Sequence, residues 1–126
     1  MTPLRRLLVS AMVGLLVSPA MAHHSASAEF DMTKPITVKG VVTKVEWTNP
    51  HIWFYVDVQE PDGTVTHWGF SAGPPGSMRN RGVSREALKP GTVIVVQGFR
   101  ARDGSNNANG ASVKFEDGRS VFVSGN

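Results

Sequence analysis

The fold is decided by residues 52–70, which read IWFYVDVQEPDGTVTHWGF. Every second residue from Ile52 to Val58 is apolar, and this alternation predicts a half-buried strand. Pro61-Asp62-Gly63 is typical of a tight turn. Trp68 and Phe70 then share one face of the next strand, with His67 on the other face. The stretch therefore predicts a β-hairpin made by the second and third strands.

A first strand is predicted from Ile36 to Trp47, ahead of the break at Asn49-Pro50. Its apolar residues first fall on even-numbered positions, Ile36 and Val38, and then on odd-numbered positions, so the inward face of the strand changes. The odd-numbered apolar residues are Val41, Val45 and Trp47. Because Gly40 stands at the change, we expect a bulge or tight coil there.

The chain after the hairpin begins with a Gly- and Pro-rich stretch, residues 73–82, which predicts a surface loop. Ser84 is expected to cap a single helical turn that runs through Leu88 and stops at Pro90-Gly91. The strands expected beyond it are Thr92 to Arg100 and Ala111 to Phe115, the latter pairing across Asp117-Gly118 with Ser120 to Val123.

These elements predict an all-β protein, a small five-stranded OB-like barrel with one short helix between the third and fourth strands. A small sandwich is the alternative. The predicted core contains Val41, Val45, Phe54, Val56, Trp68, Val95 and Phe115.

Residues 1–22 predict a cleavable signal peptide, with Arg5 and Arg6 before an apolar run and a small-residue exit at Ala20-Met21-Ala22. The run has roughly a dozen residues, against the ~20 that cross a bilayer, so no membrane anchor is expected after cleavage. Cleavage after Ala22 gives a periplasmic or secreted protein that starts at His23; a start at Met21 is the alternative. An arm, residues 23–35 with Phe30 as its anchor, then precedes the barrel domain, residues 36–126.

Composition and motifs argue against several classes of function. Two of the 13 basic residues, Arg5 and Arg6, lie in the predicted signal peptide, leaving 11 basic against 10 acidic residues and no basic run for nucleic acid. The chain has no cysteine, so packing alone must stabilise it. No nucleophile elbow, phosphate loop or H-E-x-x-H pair is present, and an enzymatic role therefore has little support.

Three histidines, His23, His24 and His51, are the candidate metal ligands. If His23 is the first residue, its α-amine and ring nitrogen close a chelate on one metal ion, and His51 adds a third nitrogen. Amine and imidazole nitrogens favour copper among the first-row metals. Glu29 and Asp31 are candidates for weaker ligands or for acceptors that orient an imidazole. The competing interpretation is that these are solvated terminal residues and a turn histidine.

A second hypothesis is a metal-free binding module for a protein, peptide or saccharide partner. The aromatic residues that would stack on such a partner are Trp47, Trp53, Tyr55 and Trp68, although residues of this kind more often belong to a core. His67 is expected to be a surface strand residue outside any site.

The segments Ala22-His23-His24-Ser25, Phe30-Asp31 and Trp47-Thr48-Asn49-Pro50-His51 carry a resemblance. Together with Leu88-Lys89-Pro90-Gly91 and Asp117-Gly118-Arg119, they resemble domain of unknown function 6152, an uncharacterised family of small exported bacterial proteins. The resemblance implies an exported protein and no settled activity. The first mature residue and the small β-barrel form also resemble copper proteins whose metal sits on an N-terminal histidine.

Overall fold

The computed structural model describes residues 26–125. The predicted signal peptide, His23 and His24 lie outside the described residues. The elements, in chain order, are α1 (Ala26–Glu29), β1 (Phe30–Glu46), β2 (Trp53–Gln59), β3 (Val65–Ser71), α2 (Pro75–Asn80), β4 (Val93–Ala101), β5 (Asn107–Phe115) and β6 (Ser120–Phe122). Within this part of the chain no helix is both long and apolar enough to cross a membrane.

The strands form one sheet that closes on itself. Their order is β3-β2-β1-β4-β5-β6, and an additional parallel pairing between β3 and β5 closes the ring. Five strands therefore make the barrel, as the sequence predicts, and β6 pairs with β5 beyond the ring. The all-β, OB-like barrel is confirmed, and β6 corresponds to the strand predicted from Ser120 to Val123. The sequence predicts neither α1 nor α2, and residues 84–88, where it predicts the short helix, form only an isolated turn.

The hairpin predicted from residues 52–70 is confirmed. β2 and β3 pair in antiparallel register, with Phe54 opposite Phe70 and Val56 opposite Trp68. In the turn, the N–H of Glu60 donates to the Thr64 carbonyl at 2.8 Å, and Gly63 adopts a φ of 88°. The left-handed conformation at Gly63 favours glycine, which explains the Pro-Asp-Gly signal.

The change of face in β1 occurs later than predicted. Val42 is 1% exposed, whereas Val41, which the sequence places in the core, is 40% exposed. The register with β2 shifts between Val42 and Lys44, so the bulge lies there and not at Gly40. A Cβ on Gly40 would collide with the Asp57 carbonyl oxygen, which shows that this glycine permits a close approach of β1 to β2.

The predicted core is correct in four of its seven residues, since Phe54, Val56, Trp68 and Phe115 are buried. Val45 is partly buried and packs against them. The prediction that Val95 belongs to the core is wrong, because its neighbours Ile94 and Val96 are the buried residues in this part of β4. Continuous apolar runs such as residues 93–96 give no alternation from which the inward face can be read.

The helix between β3 and β4 lies in a stretch that predicts a loop. α2 begins at Pro75. Proline is favoured at the first position of a helix, because the backbone N–H that it lacks would have no partner within the helix there, and because its ring fixes φ near the helical value. Met78 of α2 is 1% exposed and packs into the core. The predicted turn at Ser84 is present: Leu88 N–H donates to the Ser84 carbonyl, and Ala87 N–H donates to the Ser84 hydroxyl, both at 3.0 Å.

Part of the predicted arm belongs to the barrel. β1 begins at Phe30 instead of Ile36, and Phe30 pairs with Ala101 of β4. Phe30 is 5% exposed, so it is the anchor that the sequence predicts. The last residues of the arm are thereby fixed against the barrel.

Candidate functional site

His51 lies in the segment between β1 and β2, and backbone hydrogen bonds hold this segment against the end of β3. The N–H of Ile52 donates to the Gly73 carbonyl at 3.1 Å, and its carbonyl accepts the Ala72 N–H at 2.8 Å. The Thr48 hydroxyl donates to the His51 carbonyl at 3.1 Å. Ile52 is 1% exposed. The backbone of His51 is therefore fixed although its side chain is exposed.

The tautomer of His51 follows from its hydrogen bond. Its Nδ1 lies 2.9 Å from the Ala72 carbonyl oxygen. A carbonyl oxygen can only accept, so Nδ1 carries the proton, and Nε2 of the neutral ring keeps its lone pair. Metal-binding histidines usually donate their second ring nitrogen to a carbonyl or carboxylate in this way. Nε2 is therefore the ring nitrogen of His51 that can accept a hydrogen bond or bind a cation.

His51 and the first described residues line one cavity, which we call the His51 cavity. Its volume is about 410 Å³, and its lining residues are Ala26, Glu29, Phe30, His51, Trp53, Ser71, Asn109 and Gly125. Ala26 follows His23 by three residues, which span at most ~10 Å of extended chain. The structure therefore places Ala26, the first described residue, in the lining of the same cavity as His51.

The two predicted carboxylates differ in position. Glu29 lines the His51 cavity. Asp31 is not among the lining residues; its carboxylate accepts the Thr33 hydroxyl at 2.6 Å and the Thr33 N–H at 3.0 Å. These hydrogen bonds lower the pKa of Asp31 below its ordinary value. Glu29 is thus the carboxylate placed to reach a ligand in the cavity.

The C-terminal segment forms one wall of the cavity. Gly73 N–H donates to the Val123 carbonyl at 2.8 Å, and the Arg81 guanidinium donates to the Ser124 carbonyl at the same distance. Gly125 then sits beside the His51 ring, where a Cβ would lie 3.4 Å from Cε1. The segment after β6 therefore shapes the site, and the sequence contains no motif that signals this.

Ser71 and Asn109 are polar residues of the cavity that sequence reasoning missed. Ser71 is 7% exposed, and Asn109 is half-buried. They come together through the parallel pairing of β3 with β5, in which they are directly opposite. The only signal in the sequence is a serine within an otherwise apolar run, residues 68–72.

His67 lies elsewhere, on the outer face of the barrel, as predicted. Its side chain is 77% exposed, and its Nδ1 lies 2.6 Å from a carboxylate oxygen of Asp57, directly across from it on β2. The pair borders a cleft of about 320 Å³ that Tyr55, Trp68 and Asn107 also line. The Asp57 partner could have been inferred from the hairpin register.

Charged groups around Tyr55 continue this polar face. Lys44 Nζ donates to Glu46 at 2.5 Å, and the Tyr55 hydroxyl donates to the second Glu46 oxygen at 3.2 Å. The hydrogen bond from Lys44 lowers the pKa of Glu46 below its ordinary value. Burial is the main cause of a raised pKa at Tyr55.

The four aromatic residues predicted to stack on a partner lie in different parts of the barrel. Trp68 is buried at 9% exposure and belongs to the core, with the Arg100 guanidinium 5.4 Å from its ring centre. Trp47 is half-buried, and the Arg85 guanidinium lies 5.2 Å from its ring centre. Trp53 and Tyr55 are also half-buried, but they line separate cavities. These residues do not form one continuous stacking surface.

Residues 26–125 contain no cluster of three or more His, Cys, Asp or Glu side chains that could hold a metal ion. His51 is the one predicted histidine ligand within this range. His23 and His24 precede it, so the three-histidine set stays a prediction.

Fold and site together define a small all-β barrel protein with a polar cavity where its N-terminal segment, the β1–β2 connection and its C-terminal segment meet. A family model matches residues 11–112, and the chain belongs to that family, the family of unknown function DUF6152. No curated protein and no solved structure matches the chain.

Proposed function

We propose that the protein is exported, that its mature form begins at His23, and that it binds one Cu(II) ion. The ligands are the α-amine and ring of His23 and Nε2 of His51, with His24 as the alternative third ligand. The observation that carries the proposal is the shared cavity: Ala26 and His51 line it together, and the Ala72 carbonyl leaves Nε2 of His51 as the metal-binding nitrogen.

The chemistry of this donor set suits copper. Amine and imidazole nitrogens bind Cu(II) more tightly than the other divalent first-row metals, in the square-planar or tetragonal geometry that Cu(II) prefers. Free histidine side chains titrate near ~6.5 and α-amines near ~7.7 to 8.0, so freeing these nitrogens at neutral pH costs little. The α-amine is available only if no residue precedes His23.

The test is a Cu(II) titration of purified mature protein whose first residue has been established by terminal sequencing. His51→Ala should weaken Cu(II) binding by at least ten-fold. His67→Ala is the matched control, because it removes an exposed histidine that lies outside the cavity. One residue added before His23 should weaken binding more, since it displaces the amine. Equal affinity in all four proteins would refute the proposal.

The second candidate function is a metal-free binding module for a protein, peptide or saccharide. The observation that favours it is the cleft beside Tyr55, in which the exposed His67 and Asp57 offer hydrogen-bonding groups next to an aromatic ring. A parent protein that binds no Cu(II) would make this the better description. Copper binding that depends on His51 would make the first function the better one.

A further inference from the structure

Gly69 allows an aromatic ring and a carboxamide to come together in the cleft of about 320 Å³ beside Tyr55, which we call the Tyr55 cleft. Gly69 of β3 is directly opposite Tyr55 of β2 and directly opposite Asn107 of β5. A Cβ on this glycine would lie 2.5 Å from Asn107 Oδ1 and 3.4 Å from Tyr55 Cε1. Its φ is not positive, so space and not backbone conformation requires glycine here.

The two asparagines of the cleft are held in place and keep unused hydrogen-bonding capacity. Gly69 N–H donates to the Asn106 carbonyl at 3.0 Å, and Asn107 Nδ2 donates to the Ser105 hydroxyl at 3.2 Å. Asn106 Oδ1 accepts a hydrogen bond from Arg100 at 3.1 Å. Within residues 26–125, Asn107 Oδ1 accepts no hydrogen bond and Asn106 Nδ2 donates none. The cleft therefore presents a positioned acceptor and a positioned donor to a ligand.

The charges in the cleft do not select an ionic ligand. Asp57 and His67 pair with each other at 2.6 Å, and none of the described residues that line the cleft is a lysine or an arginine. The second carboxylate oxygen of Asp57 remains an acceptor. A neutral molecule with several hydroxyls suits this arrangement, because each hydroxyl both donates and accepts a hydrogen bond.

The backbone at this place argues for a sugar and against an extended peptide. Extended peptides commonly bind by adding a strand to a free sheet edge. β2 is paired with β1 and β3, and β3 is paired with β2 and β5, so the floor of the cleft offers no such edge. A sugar ring needs none, since its C–H face packs on an aromatic ring while its hydroxyls bond to side chains.

A second aromatic residue extends the site along β2. Trp53 precedes Tyr55 by two residues, so both side chains lie on the outer face, ~7 Å apart along the strand. Trp53 borders a neighbouring cleft of about 370 Å³, and Asn107 lines both clefts. The two aromatic residues therefore provide successive positions for a chain of sugar units.

We infer that the Tyr55 cleft binds a neutral oligosaccharide. One sugar unit packs on the Tyr55 ring and bonds to Asn106, Asn107 and Asp57, and the next unit reaches Trp53. The inference rests on the second candidate function, the binding module, and gives it a ligand class. It requires neither His51 nor a metal ion.

The test begins with two arrays, one of neutral hexose and N-acetylhexosamine oligosaccharides and one of peptides, probed with purified protein in the presence of a metal chelator. Calorimetry then measures the affinity for the strongest oligosaccharide found. Gly69→Ala should weaken this binding at least ten-fold, because the methyl group displaces the Asn107 carboxamide. Gly76→Ala is the matched control: it makes the same change in α2, where a Cβ meets nothing within 4 Å.

A second pair of variants separates the aromatic ring from its hydroxyl. Tyr55→Phe should leave the affinity within about two-fold, since the hydroxyl is already engaged by Glu46 at 3.2 Å. Tyr55→Leu removes the ring and should weaken binding about ten-fold. This pair keeps the test decisive if Gly69→Ala does not fold. Trp53→Leu should weaken binding of a trisaccharide and not of a single sugar.

The outcomes are distinct. No binding to any oligosaccharide on the array, or an affinity unchanged in Gly69→Ala and Tyr55→Leu, would overturn the inference. Peptide binding that Gly69→Ala abolishes would also overturn it but would leave the binding module standing. If neither array shows binding, the second candidate function and this inference fail together. None of these results depends on the Cu(II) titration.

Discussion

His51 and His67 occupy different settings on the same barrel. His51 donates to the backbone carbonyl of Ala72, within a cavity that the N-terminal and C-terminal segments help to build. His67 pairs with the Asp57 side chain on a solvent-exposed hairpin face. The backbone fixes the first ring, whereas a movable side chain holds the second. A histidine's potential as a ligand therefore depends on what fixes its ring and what converges beside it.

Both regions depend on one core, and the largest expected effect comes from breaking it. Phe54 is fully buried and stacks on Phe70 with ring centres 5.3 Å apart. Phe54→Ala should lower the free energy of unfolding by ~3 to 5 kcal/mol. Chemical denaturation measures this, and Val41→Ala, on the exposed side of β1, should cost less than about 1 kcal/mol. Equal losses in the two variants would mean that the inward face has been misassigned.

The C-terminal segment, which forms one wall of the His51 cavity, can be destabilised without changing His51. Arg81→Gln removes the guanidinium that donates to the carbonyls of Phe122 and Ser124. Because Arg81 is exposed, we expect a loss of about 1 kcal/mol or less. Amide hydrogen exchange of Gly73, which donates to Val123, should become faster.

The control for this variant is Arg79→Gln, in the last turn of α2 and two residues before Arg81. It should leave the Gly73 exchange rate unchanged, and the turn amide of Gly63 should be unaffected in both proteins. Unaltered Gly73 exchange in Arg81→Gln would show that the guanidinium does not hold the wall of the cavity.

The smallest expected effect is a change in the pKa of Glu46, whose carboxylate accepts a hydrogen bond from Lys44 on the outer face near the hairpin. The hydrogen bond from Lys44 lowers the pKa of Glu46, so Lys44→Met should raise that pKa toward its ordinary value. A depressed carboxylate pKa stabilises the fold above the pKa of the unfolded chain, and this stabilisation is lost as pH falls through the folded value. NMR titration of the Glu46 carboxyl group in both proteins measures the change. Lys39→Met provides a comparison, and the same rise in that variant would exclude a specific role for Lys44.

Sequence reasoning succeeded where local rules decide structure. The hairpin could be predicted from the strict alternation in residues 52–58 and from the turn at Pro61-Asp62-Gly63. The turn after Ser84 could be predicted from the capping preference of serine. It failed where two local interpretations were equally good. Val41 and Val42 are both apolar, so the bulge after Val42 could not be located, and Pro75 suits a loop as well as the first turn of a helix.

The site was predictable only in part. Asn49-Pro50-His51 stands out in the sequence, and the predicted cleavage after Ala22 draws attention to His23. The approach of Ser71 to Asn109 depends instead on a parallel pairing between strands far apart in the chain, and the wall at Gly125 depends on the path after β6. No local pattern encodes either contact.

The most direct test of the proposed copper site is to map Cu(II) by its paramagnetic broadening of backbone amide signals. Mature, ¹⁵N-labelled protein that starts at His23 is titrated with Cu(II) well below one equivalent. The account predicts that the amides of Ala26, His51, Trp53 and Gly125 disappear first, while those of Asp57 and His67 persist. Preferential broadening around Asp57 and His67, or broadening without regional preference, would contradict the account.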